Sequence, residues 1–212
     1  MVSSLPASAA PLTRSLSLTQ RVFAGSASRK LLKTVEDGMA LVEDNLAIEL
    51  RVTDALADAT SRYLYDAGGK RVRPMLTILT SQLGDGATAN VVGGATALEL
   101  THLGSLYHDD VMDGADVRRG VPSAHSVWGN NIAILTGDLL FSRASQIMAR
   151  YGEQAMQLQA DTFERLVLGQ MHETVGPTDA DDPVEFYLQV LADKTGSLIA
   201  ASAQAGIIFS NG

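Results

Sequence analysis

Residues 91–113 read "VVGGATALELTHLGSLYHDDVMD". From Val91 to Leu106 this is the most apolar stretch of the chain, yet Glu99, His102 and several Gly and Thr interrupt it. A membrane span needs about 20 predominantly apolar residues, so the stretch predicts a helix buried in a protein core instead. Its end changes character. Asp109, Asp110 and Asp113 crowd one turn, Asp116 follows, and Arg118 and Arg119 come directly after. Residues four apart on an α-helix share a face, about 6 Å apart along the axis, so Asp109 and Asp113 point together with Asp110 beside them.

Working outward, the rest of the chain repeats helical spacing. Leu31, Leu32, Val35, Met39, Val42, Leu46 and Leu50 fall at mixed three and four intervals within a run from Leu31 to Tyr65. "DAGGKRVRP" (66–74) breaks that run, and Pro74 suits the first turn of a new helix. Loops follow at "GDGATAN" (84–90), "GADVRRGVPSAH" (114–125) and "GPTDADDP" (176–183). Helical patterns fill Asn130 to Tyr151, Gln154 to Thr174 and the run from Val184. With no alternating strand pattern and no internal repeat, the expected class is all-α, in one domain over residues 31–212.

Composition narrows the function. The chain has 212 residues, 46% hydrophobic and 19% charged, which suits a globular domain with a substantial core. A net charge of −8 argues against a nucleic-acid partner, which would require clustered Lys and Arg overall. Cysteine is absent, so a metal would be held by carboxylate or imidazole, which favours hard cations. The first thirty residues hold seven Ser, no Asp or Glu, and Arg14, Arg21, Arg29 and Lys30. That composition resembles a transit peptide but reads more simply as a flexible tail over residues 1–30. A cytoplasmic location with no transmembrane segment is expected.

Three convergent carboxylates suit Mg²⁺, which keeps several waters and shares its shell with substrate phosphates. A solvated acidic turn competes with this reading, because like charges at that spacing cost only about 0.2–0.5 kcal/mol when exposed. Beside a pocket of effective dielectric near 20 the same pair would cost roughly 3 kcal/mol, and a cation or a proton becomes necessary. An EF-hand fails: Val111 occupies a ligand position, and no Glu follows Gly114 at the required distance. "GGKRVRP" fails as a phosphate loop, since Leu64 and Arg71 stand where Gly and Ser or Thr belong. Lys70, Arg71 and Arg73 beside two glycines nonetheless suit an anion. Arg118 and Arg119 serve either as surface ion pairs or as a clamp on an anion held by the acids. His102 lies two turns before Asp109, on roughly the same face. In "DKTGSL" (193–198) the Thr195 hydroxyl is placed to bond back to a carbonyl one turn earlier and bend its helix.

Jointly these motifs resemble the trans-isoprenyl diphosphate synthases, or polyprenyl synthetases. The matching elements run in order: Gly68-Gly69-Lys70-Arg71-Val72-Arg73-Pro74, His102, the D-D-x-x-D from Asp109 to Asp113, Arg118-Arg119-Gly120, Gly137-Asp138 and Lys194-Thr195-Gly196. The resemblance implies an isoprenoid synthase-like helical bundle around a central pocket. It implies that isopentenyl diphosphate is bound by Lys70, Arg73 and His102, with Arg119 assisting. It also implies Mg²⁺ on Asp109, Asp110 and Asp113, bridging an allylic diphosphate that Arg118, Lys194 and Thr195 contact. The implied reaction is head-to-tail condensation to a polyprenyl diphosphate by a homodimer, whose lipid product brings it near membranes.

Two expectations concern this chain in particular. A product growing away from the metals passes residues one turn before Asp109; these are Gly104 and Ser105, both small, which predicts a product longer than farnesyl. The family's second D-D-x-x-D does not follow Lys194, and Asp179, Asp181 and Asp182 precede it in a loop. A fragment lacking the C-terminal part of a synthase is therefore the expected organisation. A non-catalytic partner subunit of a synthase is the alternative function.

Overall fold

Side-chain caps decide where several helices begin. The structure, a computed structural model, describes residues 28–211. Expectations for residues 1–27 lie outside it. The first helix, α1 (Ser28–Glu49), starts within the expected tail. The run anticipated through Tyr65 is in fact two helices. Asp54 caps α2 (Ala55–Asp66) by accepting from the Ala57 amide at 2.9 Å, and Asp58 accepts from the Val52 amide at 3.1 Å. These two carboxylates satisfy amides that a continuous helix would have used, so the chain turns there.

After α2 come α3 (Val72–Thr80), with Pro74 in its first turn, and a 3₁₀ turn at Ser81–Leu83. Thr88 then caps α4 (Ala89–Met112), the helix expected from Val91. The next loop contains a minimal hairpin, β1 (Val117–Arg118) against β2 (Val121–Pro122), which the alternation rule missed because each strand has two residues. Arg119 (φ 54°) and Gly120 (φ 82°) form its turn, matching the two positive φ values of a type I′ connection. The chain continues through α5 (Ala124–Trp128), α6 (Asn130–Ala149) and α7 (Glu153–Val175). Asp182 caps α8 (Pro183–Leu191), a π turn spans Ala192–Gly196, and α9 (Ser197–Phe209) ends the described chain.

The axis of the molecule is α4. Every residue from Val91 to Thr101 is buried, and α1, α3, α6 and α9 pack around it. Small residues allow the close approaches. On α9, a Cβ added at Gly206 would overlap the Thr77 carbonyl, and the Thr77 and Thr80 hydroxyls donate to the Ser202 and Ala203 carbonyls at 2.9 Å. Tyr107, fully buried, donates its hydroxyl proton to the Thr60 carbonyl and ties α4 to α2. The acidic end of α4 is thus held by a rigid, apolar stem. Among the described residues no helix is long and apolar enough to cross a membrane.

Candidate active site

The break between α2 and α3 and the hairpin turn meet over the α4 stem. They enclose a cavity of about 380 Å³ lined by Gly69, Lys70, Arg71, Val72, Arg73, Glu99, His102, Leu106, Arg118 and Arg119. Lys70, Arg73, His102, Arg118 and Arg119, expected to bind diphosphates, thus share one space. Both bends that deliver them are conformationally special: Gly68 has φ 87°, and Arg71 (φ 49°) and Arg119 (φ 54°) are left-handed without being glycine. Gly69 is required for contact. A Cβ there would lie 2.8 Å from Arg71 Nη1 and 3.0 Å from Arg119 Cζ.

The arginines divide by their partners. Arg71, anticipated as an anion ligand, commits its donors to the protein: Nε to Glu43 at 2.7 Å, Nη1 to Glu99 at 3.3 Å, Nη2 to the Tyr65 carbonyl at 3.4 Å. Its guanidinium also lies over the Tyr65 ring at 5.0 Å. Arg119 Nη1 donates to the Leu64 carbonyl at 2.6 Å and to Gly68, bracing the glycine bend. Arg73 differs. Its Nε is buried with no hydrogen-bond partner among the described residues.

Glu99 beneath them was not anticipated as a site residue, although a lone acid in an apolar run three residues before His102 was a readable signal. Burial pushes its carboxyl up, against the pull of Arg71, Arg119 and Arg73. His102 is held well below its usual range by burial and by the charges of Arg73, Arg119, Arg71 and Arg118. At neutral pH it is therefore an uncharged hydrogen-bonding group in a cationic pocket.

The acidic turn adjoins this cavity, but its three carboxylates do not act alike. Asp110 is fully buried, and its Oδ1 accepts from Arg118 Nε at 2.7 Å and Nη2 at 2.5 Å. That pair ties the hairpin to α4, while Asp110 Oδ2 is buried with no hydrogen-bond partner among the described residues, beside Asp109 and Asp113. Among the described residues no group of three acid or His side chains is assembled to hold a metal. Asp109 is raised from the ordinary carboxylate value by burial, with Asp113 also raising it and Lys194 and Arg118 opposing. A carboxylate displaced this way is stabilised by a cation, and two hard oxygen donors on one face suit Mg²⁺ that completes its shell with water and phosphate oxygen.

The expected irregularity before Gly196 is present as the π turn, but its cause differs. Thr195 is exposed, and the back-bond there runs from Ser197 Oγ to the Asp193 carbonyl at 2.5 Å. Lys194 pairs with Glu173 of α7. Gly104 was expected to face a growing product. Instead it sits in the α4–α6 crossing, where an added Cβ would lie 3.1 Å from the Gly137 carbonyl and 3.2 Å from the Phe141 ring. Ser105 is buried and donates to the His102 carbonyl at 2.8 Å. His108 and Phe141 flank that crossing, Phe141 meeting His108 edge-on at 5.4 Å and a tilted Phe163 at 4.4 Å, neighbours which the i−4 and i−5 spacing had no means to locate.

Comparison with known proteins decides between these motifs as coincidence and as inheritance. The polyprenyl synthetase family model matches residues 54–212. The chain belongs to the polyprenyl synthetase family. One relative, the nonaprenyl diphosphate synthase of Mycobacterium tuberculosis, is 49% identical over 179 residues, covering 83% of this chain and 53% of the relative. A dimethylallyltranstransferase of the same organism is 44% identical, covering 83% and 54%. Among solved structures, the geranylgeranyl pyrophosphate synthase of Corynebacterium glutamicum, complexed with calcium and isoprenyl diphosphate, superposes with TM-score 0.77 at 42% identity, covering 86% and 56%. The all-α fold is thus that of prenyl diphosphate synthases, and the chain spans about half the length of the curated relatives it matches.

Proposed function

We propose that this chain carries the diphosphate-binding half of a prenyltransferase. In the complete protein, isopentenyl diphosphate would be joined head-to-tail to an allylic diphosphate, giving a medium- or long-chain polyprenyl diphosphate. The observation that carries this reading is the buried Arg73 Nε, without a hydrogen-bond partner among the described residues, in a basic cavity next to Asp109 and Asp113. A buried donor without an acceptor costs about 1–3 kcal/mol, and a diphosphate oxygen removes that cost. Lys70, Arg73 and neutral His102 bind one diphosphate. Arg119, its backbone strained and its Nη1 anchored, presents the remainder of its guanidinium to the same anion.

Asp109 and Asp113, with the unpartnered Oδ2 of Asp110 beside them, are the groups that would hold Mg²⁺, which supplies charge neutralisation for a departing diphosphate. Arg118 and Lys194 add fixed positive charge on that side, and Thr195 flanks them. Cation formation at an allylic carbon then depends on electrostatic preorganisation, since these donors are placed before charge develops. Exposed apolar side chains such as Leu135 (61%) and Leu188 (57%) support further burial in a homodimer.

The test is calorimetric titration of inorganic pyrophosphate with Mg²⁺ into the 212-residue chain and its Arg73→Gln variant. Loss of one charge-assisted hydrogen bond, about 1.5–3 kcal/mol, predicts roughly 10- to 100-fold weaker binding by the variant. Equal affinities would remove the central support.

A further inference from the structure

Lys194 and Thr195 lie on the π turn, the one interruption between α8 and α9. A π turn adds a residue to the helical repeat and rotates the helix before it relative to the helix after it; left alone it is less stable than a regular helix. Something must hold it. Asp193, the residue before Lys194, is buried, and both carboxylate oxygens are engaged. Arg165 of α7 donates Nε and Nη2 to Oδ1 at 3.0 and 2.7 Å, and Gln189 of α8 donates to Oδ2 at 2.7 Å. From α9, Ser197 Oγ donates to the Asp193 carbonyl at 2.5 Å. One turn after Arg165, on the same face of α7, the helix presses directly on the turn: a Cβ at Gly169 would overlap the Lys194 amide nitrogen and lie 2.9 Å from the Asp193 carbonyl carbon.

We propose that Asp193 is a positioning residue: with Arg165, Gln189 and the close approach at Gly169 it locks the π turn and thereby aims the Lys194 ammonium toward the acidic turn. The lock draws on three helices, so the direction of one flexible side chain is set by the packing of α7, α8 and α9. A lysine stem has many rotamers, and a fixed backbone origin is what lets so long a side chain act at one place. Glu173, on α7 one turn beyond Gly169, holds the Lys194 ammonium in this structure, and both charges lie close enough to act on the Asp109 carboxyl. The hydrogen bonds from Gln189 and Arg165 also hold the Asp193 carboxyl below its usual range, so the lock persists across neutral pH. The inference rests on the reading that Lys194 serves a diphosphate.

The experiment compares wild type, Asp193→Ala, Asp193→Asn, Lys194→Ala and the Asp193→Ala/Lys194→Ala double variant of the 212-residue chain. Three readouts are taken: hydrogen exchange of amides 192–198, amine labelling of Lys194 by mass spectrometry, and affinity for inorganic pyrophosphate with Mg²⁺. Asp193→Ala is expected to speed exchange and Lys194 labelling, and to weaken pyrophosphate about five- to tenfold, with no further loss when Lys194 is already Ala. Asp193→Asn keeps an acceptor for Arg165 and restores most of each readout. An equal loss of affinity in the Lys194→Ala background, or unchanged Lys194 labelling, overturns the proposal. Should wild type not bind pyrophosphate, the diphosphate reading falls, while exchange and labelling still decide whether Asp193 positions Lys194. Should Asp193→Ala fail to fold, Arg165→Gln, whose side chain is 53% exposed, removes the same lock from its outer side and is read identically.

Discussion

Asp109 and His102 are both displaced from their ordinary protonation behaviour, and the signs make separate predictions. The Asp109 carboxyl is raised, chiefly by burial, so its ionised form is less stable in the fold than in the open chain. Stability is therefore lost as pH rises through its folded-state value. Asp109→Asn is expected to raise the melting temperature at pH 7 in the absence of metal. That gain vanishes once pH falls below the ordinary carboxylate value of 3.8, and the variant loses the stabilisation that Mg²⁺ with pyrophosphate gives wild type. Thermal scans across pH 3–8 check both halves. His102 is displaced the other way, below its ordinary 6.5, so stability falls as pH drops through the unfolded-state value. Its ring resonances should stay those of a neutral imidazole near pH 6.5 in the free protein. Pyrophosphate, by adding negative charge, should move the midpoint upward; an NMR titration showing an ordinary midpoint in the free protein would contradict the burial argument.

At the scale of elements, the helices were legible where the physics is local. Apolar spacing located α4, α6 and α7 to within a few residues, and Asp182 before Pro183 marks its helix start by a side-chain cap. What spacing did not show was which neighbour each face meets. Gly104 illustrates the difference: a small residue one turn before Asp109 reads as open space, whereas it lies against the α6 backbone at Gly137. Gly104→Phe is accordingly expected to disrupt the α4–α6 crossing, costing about 1–3 kcal/mol or more, before it shortens any product. A denaturation midpoint close to wild type would instead favour an open pocket floor at this position. Asp110 teaches the same lesson: its position beside Asp109 was readable, but its bond to Arg118 depends on a two-residue hairpin too short to leave a pattern. Arg165 and Asp193, on separate elements, had no local signal at all.

The whole molecule places a basic cavity and a pair of acids at one end of a buried stem, and that combination separates binding from turnover. On the proposed reading, holding a diphosphate draws on Arg73, Lys70 and their neighbours in the cavity. Releasing one from an allylic carbon requires more neutralising charge, because the leaving group gains negative charge as the bond breaks. On the proposed reading Asp109 and Asp113, with the unpartnered Oδ2 of Asp110, would serve that task, and no group of three acid or His side chains is assembled for a metal among the described residues. No second D-D-x-x-D occurs after Lys194 in the sequence. Incubating the 212-residue chain with farnesyl diphosphate, labelled isopentenyl diphosphate and Mg²⁺ is therefore expected to give no elongated product, while calorimetry under the same conditions still detects pyrophosphate. Labelled polyprenyl product that disappears on chelation would show that the acids of this half suffice. Absence of both product and binding would remove the diphosphate reading of the basic cavity itself.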